Sequence, residues 1–217
     1  VYQRATRAEG RIIITGSRSK GSEHRGMLKA RLLSAGATAD WLELGIIKSG
    51  MTEFRAVLNA PPGGWYRLEV RVWQENTIAA ETAVAHVGVG EVFVIAGQSN
   101  SANHGEERQR TKTGLVAAFH DGTWQLANDP QPGASGNGGS FIPPFGDAIA
   151  ELFKVPVGII ATGVGATSVR EWLPRGTYFA NPPTLTGHVT QLANGDWESK
   201  GTLFESFVAR MKHPGQQ

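Results

Sequence analysis

Short runs of alternating apolar and polar residues fill the chain up to about residue 88. The clearest run is residues 65–73, where Tyr66, Leu68, Val70 and Val72 alternate with charged residues. Successive side chains of a strand point to opposite faces, so this run predicts an antiparallel strand with one buried face. Further runs predict strands at residues 11–15, 27–33, 41–47, 52–58 and 78–87. Short strands without a helical segment are typical of a small β-sandwich.

The pattern changes after residue 88. Residues 92–96 are all apolar, as is typical of a strand that is covered on both faces of a parallel sheet, and residues 157–161 form a second such run. The spacing of Ile149, Leu152 and Phe153 predicts a helix over residues 147–154 with these side chains on one side. A last amphipathic helix is predicted over residues 203–211. This alternation of strands and helices predicts an α/β region that begins near residue 89.

The predicted fold class is therefore α/β, with an all-β, sandwich-like domain at residues 1–88 and part of an α/β domain with a parallel sheet at residues 89–217. Two strands cannot cover the faces of a parallel sheet. The last helix has an apolar face, yet no strand follows it. We therefore expect a second polypeptide to complete the domain, or truncation to have removed the missing part. The alternative is that residues 119–124 and 184–192 supply further strands.

Composition and charge exclude several classes of function. The net charge is only +2 and no run of like charge is present, which disfavours a nucleic-acid partner. The chain has no cysteine, so disulfides, thiolate metal sites and cysteine nucleophiles are excluded. No segment approaches the ~18 apolar residues of a membrane span. No pair of histidines or carboxylates has metal-ligand spacing, so we expect no metal site.

Ser99 is the candidate nucleophile, since it follows a buried strand in the turn Gly97-Gln98-Ser99-Asn100. Functional groups of open α/β sheets gather at the carboxyl ends of the strands. A serine attacks well only when a base removes its proton and N–H donors stabilise the oxyanion that forms. Gly97 permits a tight turn, after which backbone N–H groups can face that oxyanion. The alternative is that Ser99 only caps a helix.

Two blocks of the sequence resemble the SGNH hydrolases. Residues 90–100 are similar to the nucleophile block of this superfamily, and more closely to its sialate O-acetylesterase and acetylxylan esterase branch, where the block reads Gly-Gln-Ser-Asn. Residues 155–167 with Glu171-Trp172 resemble the second block, a Pro-Val-Gly strand followed by a Gly-Gly-Thr turn and a Trp. The resemblance covers residues 89–212 and implies a three-layer α/β/α domain with a parallel sheet.

The resemblance also implies roles for single residues. Ser99 would be the nucleophile, and the N–H groups of Ser99 and Gly165 would form the oxyanion hole. Ala166 stands where the family has a second Gly, which keeps the backbone donor but alters the turn. The family's third block, similar to His-Gln-Gly-Glu-Ser, and the Asp-x-x-His block that provides the base are absent from the chain.

No histidine of this chain stands in a setting like that of the family's base. His104 is nearest to Ser99 in sequence, and we expect it on the following turn as an ordinary polar residue. His120 and His188 are expected in solvated loops, His24 and His86 in the β domain, and His213 at the end of the last helix. We therefore expect the base to be supplied from elsewhere.

Trp172 and Arg170 are the candidates for substrate binding. A Trp beside the strand ends can stack on a sugar ring, and Arg170 can pair with the carboxylate of an acidic sugar. Arg175 is a second option for that pairing, and Tyr178 and Trp197 lie in the same Gly- and Pro-rich stretch. The alternative for these aromatic side chains is that they anchor loops.

Taken with the resemblance, these features predict part of a carbohydrate O-acetylesterase that acts on sialic acid or xylan-type sugars through an acetyl-enzyme on Ser99. No cofactor or metal ion is implied. The expected partners are an acetylated carbohydrate and a second polypeptide, and the resemblance implies an extracytoplasmic location. The rival prediction is a catalytically incomplete carbohydrate-binding or interaction protein. A lipase or thioesterase of the same fold is disfavoured by the Gly-Gln-Ser-Asn block.

Overall fold

A computed structural model describes residues 1–17 and 25–212 of the chain. The chain divides into two compact units, residues 1–91 with 154–156, and residues 92–153 with 157–217. Each unit has its own apolar core. The fold class is mixed α/β, as the sequence predicts.

The first unit is built from strands alone. Its strands are β1 (Tyr2–Gln3), β2 (Gly10–Ser17), β3 (Gly26–Leu33), β4 (Leu42–Ile47), β5 (Glu53–Ala60), β6 (Gly63–Gln74) and the first part of β7 (Thr77–Ile95). Strands β2 and β5 form an antiparallel pair, and a larger sheet has the order β4-β3-β6-β7 with β1 parallel to β7. The strands predicted before residue 74 are confirmed, with ends that differ by one or two residues.

The core of the first unit lies between these two sheets. Ile12 and Leu58 of the β2–β5 pair are buried in one cluster with Leu28, Ala30 and Val70 of the larger sheet. Two sheets that share one core in this way form a sandwich. The predicted sandwich is therefore present in the first unit.

Strand β7 is continuous where the sequence predicts two separate strands, at residues 78–87 and 92–96. The predicted break falls on Gly88 and Gly90, but neither glycine has a positive φ, and the strand passes through both. A Cβ on Gly90 would collide with the carbonyl of Pro156. The missing side chain thus allows a close approach of two backbones, and the predicted separation into two strands is wrong.

The second unit contains both helices. Its elements are β8 (Val116–His120), β9 (Thr123–Leu126), α1 (Ile142–Phe153), β10 (Val157–Ala161), β11 (Tyr178–Phe179), β12 (Val189–Gln191), β13 (Trp197–Ser199) and α2 (Thr202–Lys212). The end of β7 is followed across the sheet by β10, β8 and β9. Strands β10 and β8 are parallel, and β8 and β9 form a hairpin. Strands β11, β13 and β12 form a small separate sheet.

The prediction of only two strands in this region is wrong. Residues 119–124 fall across the β8–β9 hairpin, which adds two strands to the sheet, and residues 184–192 contain β12 of the small sheet. The run Val116-Ala117-Ala118-Phe119-His120 has a single β-branched residue and two alanines, which are disfavoured in strands, so it is a weak strand signal in the sequence. Its small side chains are nevertheless buried in the core.

Helix α1 begins earlier than predicted, and of the side chains predicted on one side Ile149 packs against the core whereas Leu152 does not. Leu152 is 69% exposed, although the sequence predicts it on the inner side. The buried positions include Ile142, Gly146 and Ala150, which are four residues apart. A Cβ on Gly146 would collide with Val116 of β8. Gly146 and Ala150 therefore let the helix approach the sheet closely, while Ile142, Phe145 and Ile149 pack against the same core.

Within residues 1–17 and 25–212, neither helix has the length and apolar character that a bilayer span requires.

We expect Ile159→Ala to lower the free energy of unfolding by about 2–5 kcal/mol, because it removes buried atoms and leaves a cavity. Ile159 is 0% exposed in the core of the second unit. Leu152→Ala is the matched control and should stay within about 0.5 kcal/mol of the parent chain. Denaturant unfolding followed by circular dichroism measures both. Equal losses would contradict this assignment of the core.

Candidate active site

Ser99 lies in a tight turn directly after β7. Gly97 has a φ of 134°, Gln98 is extended, and Ser99 itself has a φ of 42°. A positive φ is uncommon for a residue with a Cβ, and it persists only where the surroundings hold the backbone in place. Residues 99–101 form one 3-10 turn, closed by the Ala102 N–H on the Ser99 carbonyl at 2.8 Å. The Ser99 hydroxyl donates to Gln98 Oε1 and caps no helix.

The loop after β10 packs against this turn. The Val164 N–H donates to the Gly97 carbonyl at 2.9 Å. A Cβ on Gly163 would collide with the Ser101 carbonyl, so two main chains touch here with no side chain between them. The loops that carry Ser99 and Gly165 are therefore held together, although they are more than sixty residues apart in sequence.

The two N–H groups expected in the oxyanion hole differ in their partners. The Ser99 N–H donates to no acceptor in the described part of the chain. The Gly165 N–H donates to the hydroxyl of Ser135 at 2.8 Å. Ser135 is exposed, so this contact lies at the surface. One expected donor is thus open, and the other is occupied by a side chain that the sequence analysis did not single out.

The His104 N–H donates to the Ser99 carbonyl at 3.1 Å, and the His104 ring lies against Gly165. Its Nε2 is 3.4 Å from the Ser135 Oγ, and a Cβ on Gly165 would collide with its ring. This collision explains why the position carries glycine. The described residues contain no hydrogen bond between the His104 ring and Ser99, so His104 is not placed as the base.

Asn103 is a buried hub beneath these loops. It is 1% exposed and has a φ of 58°, a conformation that Asn tolerates better than most residues. Its Oδ1 accepts from the Gln131 N–H at 2.8 Å, and its Nδ2 donates to the Gln131 carbonyl at 2.9 Å. Its own carbonyl accepts from the Gly138 N–H at 2.7 Å. Asn103 therefore joins the turn after Ser99 to the segment that contains Ser135.

Asp129 fixes the segment that contains Ser135 at its C-terminal end, where Ser140 follows it. Its carboxylate accepts from the Ser140 N–H and hydroxyl at 2.7 and 2.6 Å, and from Gln131 Nε2 at 3.0 Å. Sequence reasoning missed Asn103, Gln131 and Asp129. The available signal was the glycine-rich stretch at residues 133–139, which needs such anchors because it has few side chains of its own.

Arg210 connects α2 to the edge of the sheet. Its Nη1 donates to the Ala161 carbonyl at 2.9 Å and also to the Gly133 carbonyl. Ala161 is the last residue of β10, and Gly133 lies two residues before Ser135. This arginine therefore holds the backbone of the Ser135 segment against the strand end.

A buried carboxylate organises the segment that follows the second loop. Glu171 is 0% exposed and accepts from the Ser168 N–H at 2.9 Å, the Ser168 hydroxyl at 2.5 Å and the Leu185 N–H at 2.6 Å. Burial acts to raise the pKa of Glu171, but these hydrogen bonds outweigh it and hold the pKa below its ordinary value. The 3-10 turn at Val169–Trp172 is thus fixed by a capping box.

The candidates for substrate binding are distributed around this turn. Trp172 is half-buried and its Nε1 donates to Thr167 Oγ1 at 2.9 Å, and Arg170 is half-buried in the same turn. Arg175 forms a two-point ion pair with Glu205 at 2.9 and 3.0 Å. Tyr178 is exposed at the small sheet, and Trp197 is half-buried there. Trp172 therefore has an anchoring contact, which is compatible with stacking by its open side.

The remaining described histidines also have other partners. His120 ends β8 instead of lying in a loop, and its Nε2 is 3.2 Å from Asp121 Oδ2. His188 Nδ1 is 2.9 Å from Thr202 Oγ1, and the His86 ring contacts Trp65. His24 and His213 lie outside the described residues.

We expect Asn103→Ala to lower the free energy of unfolding by about 1–3 kcal/mol, because it leaves the buried Gln131 N–H without its acceptor. Hydrogen exchange of that amide should also become faster. The control is Asn194→Ala, whose side-chain bonds to Asp196 are exposed, so the change should stay within about 0.5 kcal/mol. Equal stability and unchanged Gln131 exchange in Asn103→Ala would exclude the hub.

We expect the Glu171 carboxylate to stabilise the fold at neutral pH and to lose this effect in acid. Its folded-state pKa is lowered, so the stabilisation is present above the unfolded-state value near 4.5 and disappears as the pH falls through the folded-state value. Glu171→Gln should cost about 1.5–3 kcal/mol at neutral pH, the usual range for a hydrogen bond to a charged group. Unfolding curves measured between neutral and acid pH should converge for the two proteins. Parallel curves would contradict this assignment.

Comparison with known proteins identifies the second part of the chain. Residues 89–217 match the family model described as carbohydrate esterase, sialic acid-specific acetylesterase. No curated protein matches the chain. Among solved structures, a carbohydrate acetylesterase from Xanthomonas citri matches with a TM-score of 0.46 and 16% identity, covering 80% of this chain and 40% of that enzyme. The chain spans about two fifths of the length of that enzyme. On the family match, which covers more than half of its residues, the chain belongs to the carbohydrate esterase family of the sialic acid-specific acetylesterases.

Proposed function

We propose that this protein removes O-acetyl groups from a carbohydrate through an acetyl-enzyme on Ser99. The observation that carries the proposal is the state of Ser99. Its backbone is held at a positive φ after a strand end, and its N–H has no acceptor within the described residues. A serine whose backbone is held in this way suits the role of nucleophile. Its own N–H can then donate to the oxyanion that forms on the substrate.

The reaction would proceed by two displacements. The Ser99 Oγ attacks the acetyl carbonyl while a base takes its proton, and the carbonyl oxygen becomes an oxyanion that accepts from backbone N–H groups. The intermediate then collapses, and the sugar hydroxyl leaves with the proton from the base. Water attacks the acetyl-enzyme in the same manner and releases acetate. The residues present supply the nucleophile and the donors for both steps.

The base is proposed to be a histidine outside the described residues, in a further segment of the protein or in a second polypeptide. The rings of His86, His104, His120 and His188 all contact residues other than Ser99. The pairing of β7 with β1 and β6 ends at Gly90 and Val89, so beyond that point β10 is its strand neighbour in the described part of the chain. Phe93 and Val94 are half-buried although both are apolar. A further strand along this edge would cover them and could bring the base to Ser99.

The substrate is proposed to be an acetylated sialic acid or xylan-type sugar at an extracytoplasmic site, with Trp172 and Arg170 in contact with it. The family description supports the first of these sugars. In this view residues 1–88 form an accessory domain and residues 89–217 the esterase domain, completed from elsewhere.

The second candidate function is a carbohydrate-binding or interaction protein without esterase activity. The observation that favours it is the absence of a base beside Ser99 among the described residues. The two functions differ in whether acetate is released.

We expect Ser99→Ala to lower turnover of p-nitrophenyl acetate and of acetylated sugars by about 10³-fold or more, because the other hydroxyl of the turn, that of Ser101, is buried and donates to the Gln98 carbonyl. Ser34→Ala, an exposed serine in the first unit, should leave turnover unchanged. Turnover that survives in Ser99→Ala would exclude the nucleophile.

Intact mass under denaturing conditions should accompany this assay on the native protein. Full, Ser99-dependent turnover by a lone species of 23.2 kDa would exclude a base from elsewhere. If a preparation also contains the further segment or second polypeptide proposed to carry the base, but releases no acetate, the carbohydrate-binding function would be favoured.

A further inference from the structure

We propose that, in the free protein, the Ser135 hydroxyl accepts the hydrogen bond that the Gly165 N–H donates to the substrate's carbonyl oxygen during the reaction. Ser135 is then a positioning residue that must release this N–H before acyl transfer. The proposal rests on the proposed function, because it takes the Gly165 N–H as a donor of the oxyanion hole.

The first argument is the hydrogen bond itself. The Gly165 N–H donates to the Ser135 Oγ at 2.8 Å, which is the length of a well-formed bond. A single N–H has one proton to donate, so a substrate oxygen and the Ser135 oxygen exclude each other there. A neutral ester carbonyl competes with a neutral hydroxyl on nearly equal terms. An oxyanion is a much stronger acceptor and displaces it.

The second argument is that the hydroxyl has somewhere else to go. The Ser135 Oγ is 3.4 Å from His104 Nε2, and Ser135 is exposed. Rotation about the Cα–Cβ bond of Ser135 releases the N–H and leaves the hydroxyl within reach of the imidazole or of water. When the His104 proton is on Nδ1, Nε2 accepts from that hydroxyl.

The third argument is that the backbone around Ser135 is fixed, so the side chain alone needs to move. The Ser135 N–H donates to the Gly163 carbonyl at 3.0 Å, and the Gly136 N–H donates to the Ala102 carbonyl at 2.8 Å. Arg210 holds the Gly133 carbonyl on the other side. The Gly165 N–H and the Ser135 hydroxyl therefore both belong to segments whose main chain is fixed by hydrogen bonds.

The test uses the chain itself and does not require turnover. Protein labelled with ¹⁵N is titrated with sodium acetate, with sodium chloride added to keep the ionic strength constant, and the Gly165 amide is followed by NMR. Without acetate, Ser135→Ala should shift this amide and speed its hydrogen exchange. With acetate, Ser135→Ala should bind about 2- to 12-fold more tightly than the parent, because an intramolecular acceptor no longer competes. Ser135→Thr keeps the hydroxyl and should behave like the parent.

Thr184→Ala, which removes an exposed hydroxyl elsewhere in the second unit, should change neither quantity. Equal acetate affinity at Gly165 in the parent and in Ser135→Ala would overturn the proposal. If acetate shifts the Gly165 amide signal neither in the parent nor in any variant, the proposal is overturned as well. Either result is separate from the proposed function, which fails only if acetate release does not depend on Ser99.

Discussion

The candidate site depends on direct contact between main chains at the carboxyl edge of the second unit's sheet. The turn after β7, the loop after β10 and the glycine-rich segment at residues 133–139 meet there without side chains between them. A Cβ on Gly163 would strike the Ser101 carbonyl, and one on Gly136 would strike the Ala102 carbonyl. The backbone N–H groups that we propose as oxyanion donors are thus positioned by these contacts and not by flexible side chains.

Buried polar side chains hold these contacts in place. Asn103 joins the Ser99 turn to Gln131, and Asp129 joins Gln131 to the start of α1 through Ser140. Each of these groups is costly to bury unless it is hydrogen-bonded, so the network is stable only as a whole. The same network supports the positive φ of Ser99, because it fixes the chain on the carboxyl side of that residue.

The charged groups near the site serve structure more than chemistry. Arg210 is bound to two main-chain carbonyls, and the Glu171 carboxylate is enclosed by three donors. The hydrogen-bonding groups that remain for an acyl substrate include the Ser99 hydroxyl, the backbone N–H groups and the Ser135 hydroxyl. Such a set can stabilise an oxyanion, which develops only during the reaction, but among the described residues no histidine ring is hydrogen-bonded to the Ser99 hydroxyl.

Local pattern was sufficient for much of this description. Alternation identified the strands of the first unit, apolar runs identified the end of β7 and all of β10, and the Gly97-Gln98-Ser99-Asn100 turn identified the candidate nucleophile. Local pattern gave wrong predictions where a feature depends on contacts with residues that are distant in sequence. Residues 78–87 and 92–96 were predicted as separate strands because Pro156, which packs against the glycines between them, is far away in sequence. Helix α1 was oriented by its large residues although Gly146 and Ala150 face the sheet.

The sequence by itself therefore determined the strands of the first unit, the α/β class and the position of Ser99 at a strand end, because these follow from short-range periodicity and turn chemistry. Only the tertiary structure decided that β8 joins the sheet, that Asn103 is the buried hub and that Ser135 occupies the Gly165 N–H. Those features arise from hydrogen bonds and contacts between residues about thirty or more positions apart. No local pattern records such contacts, since they form only when the chain has folded.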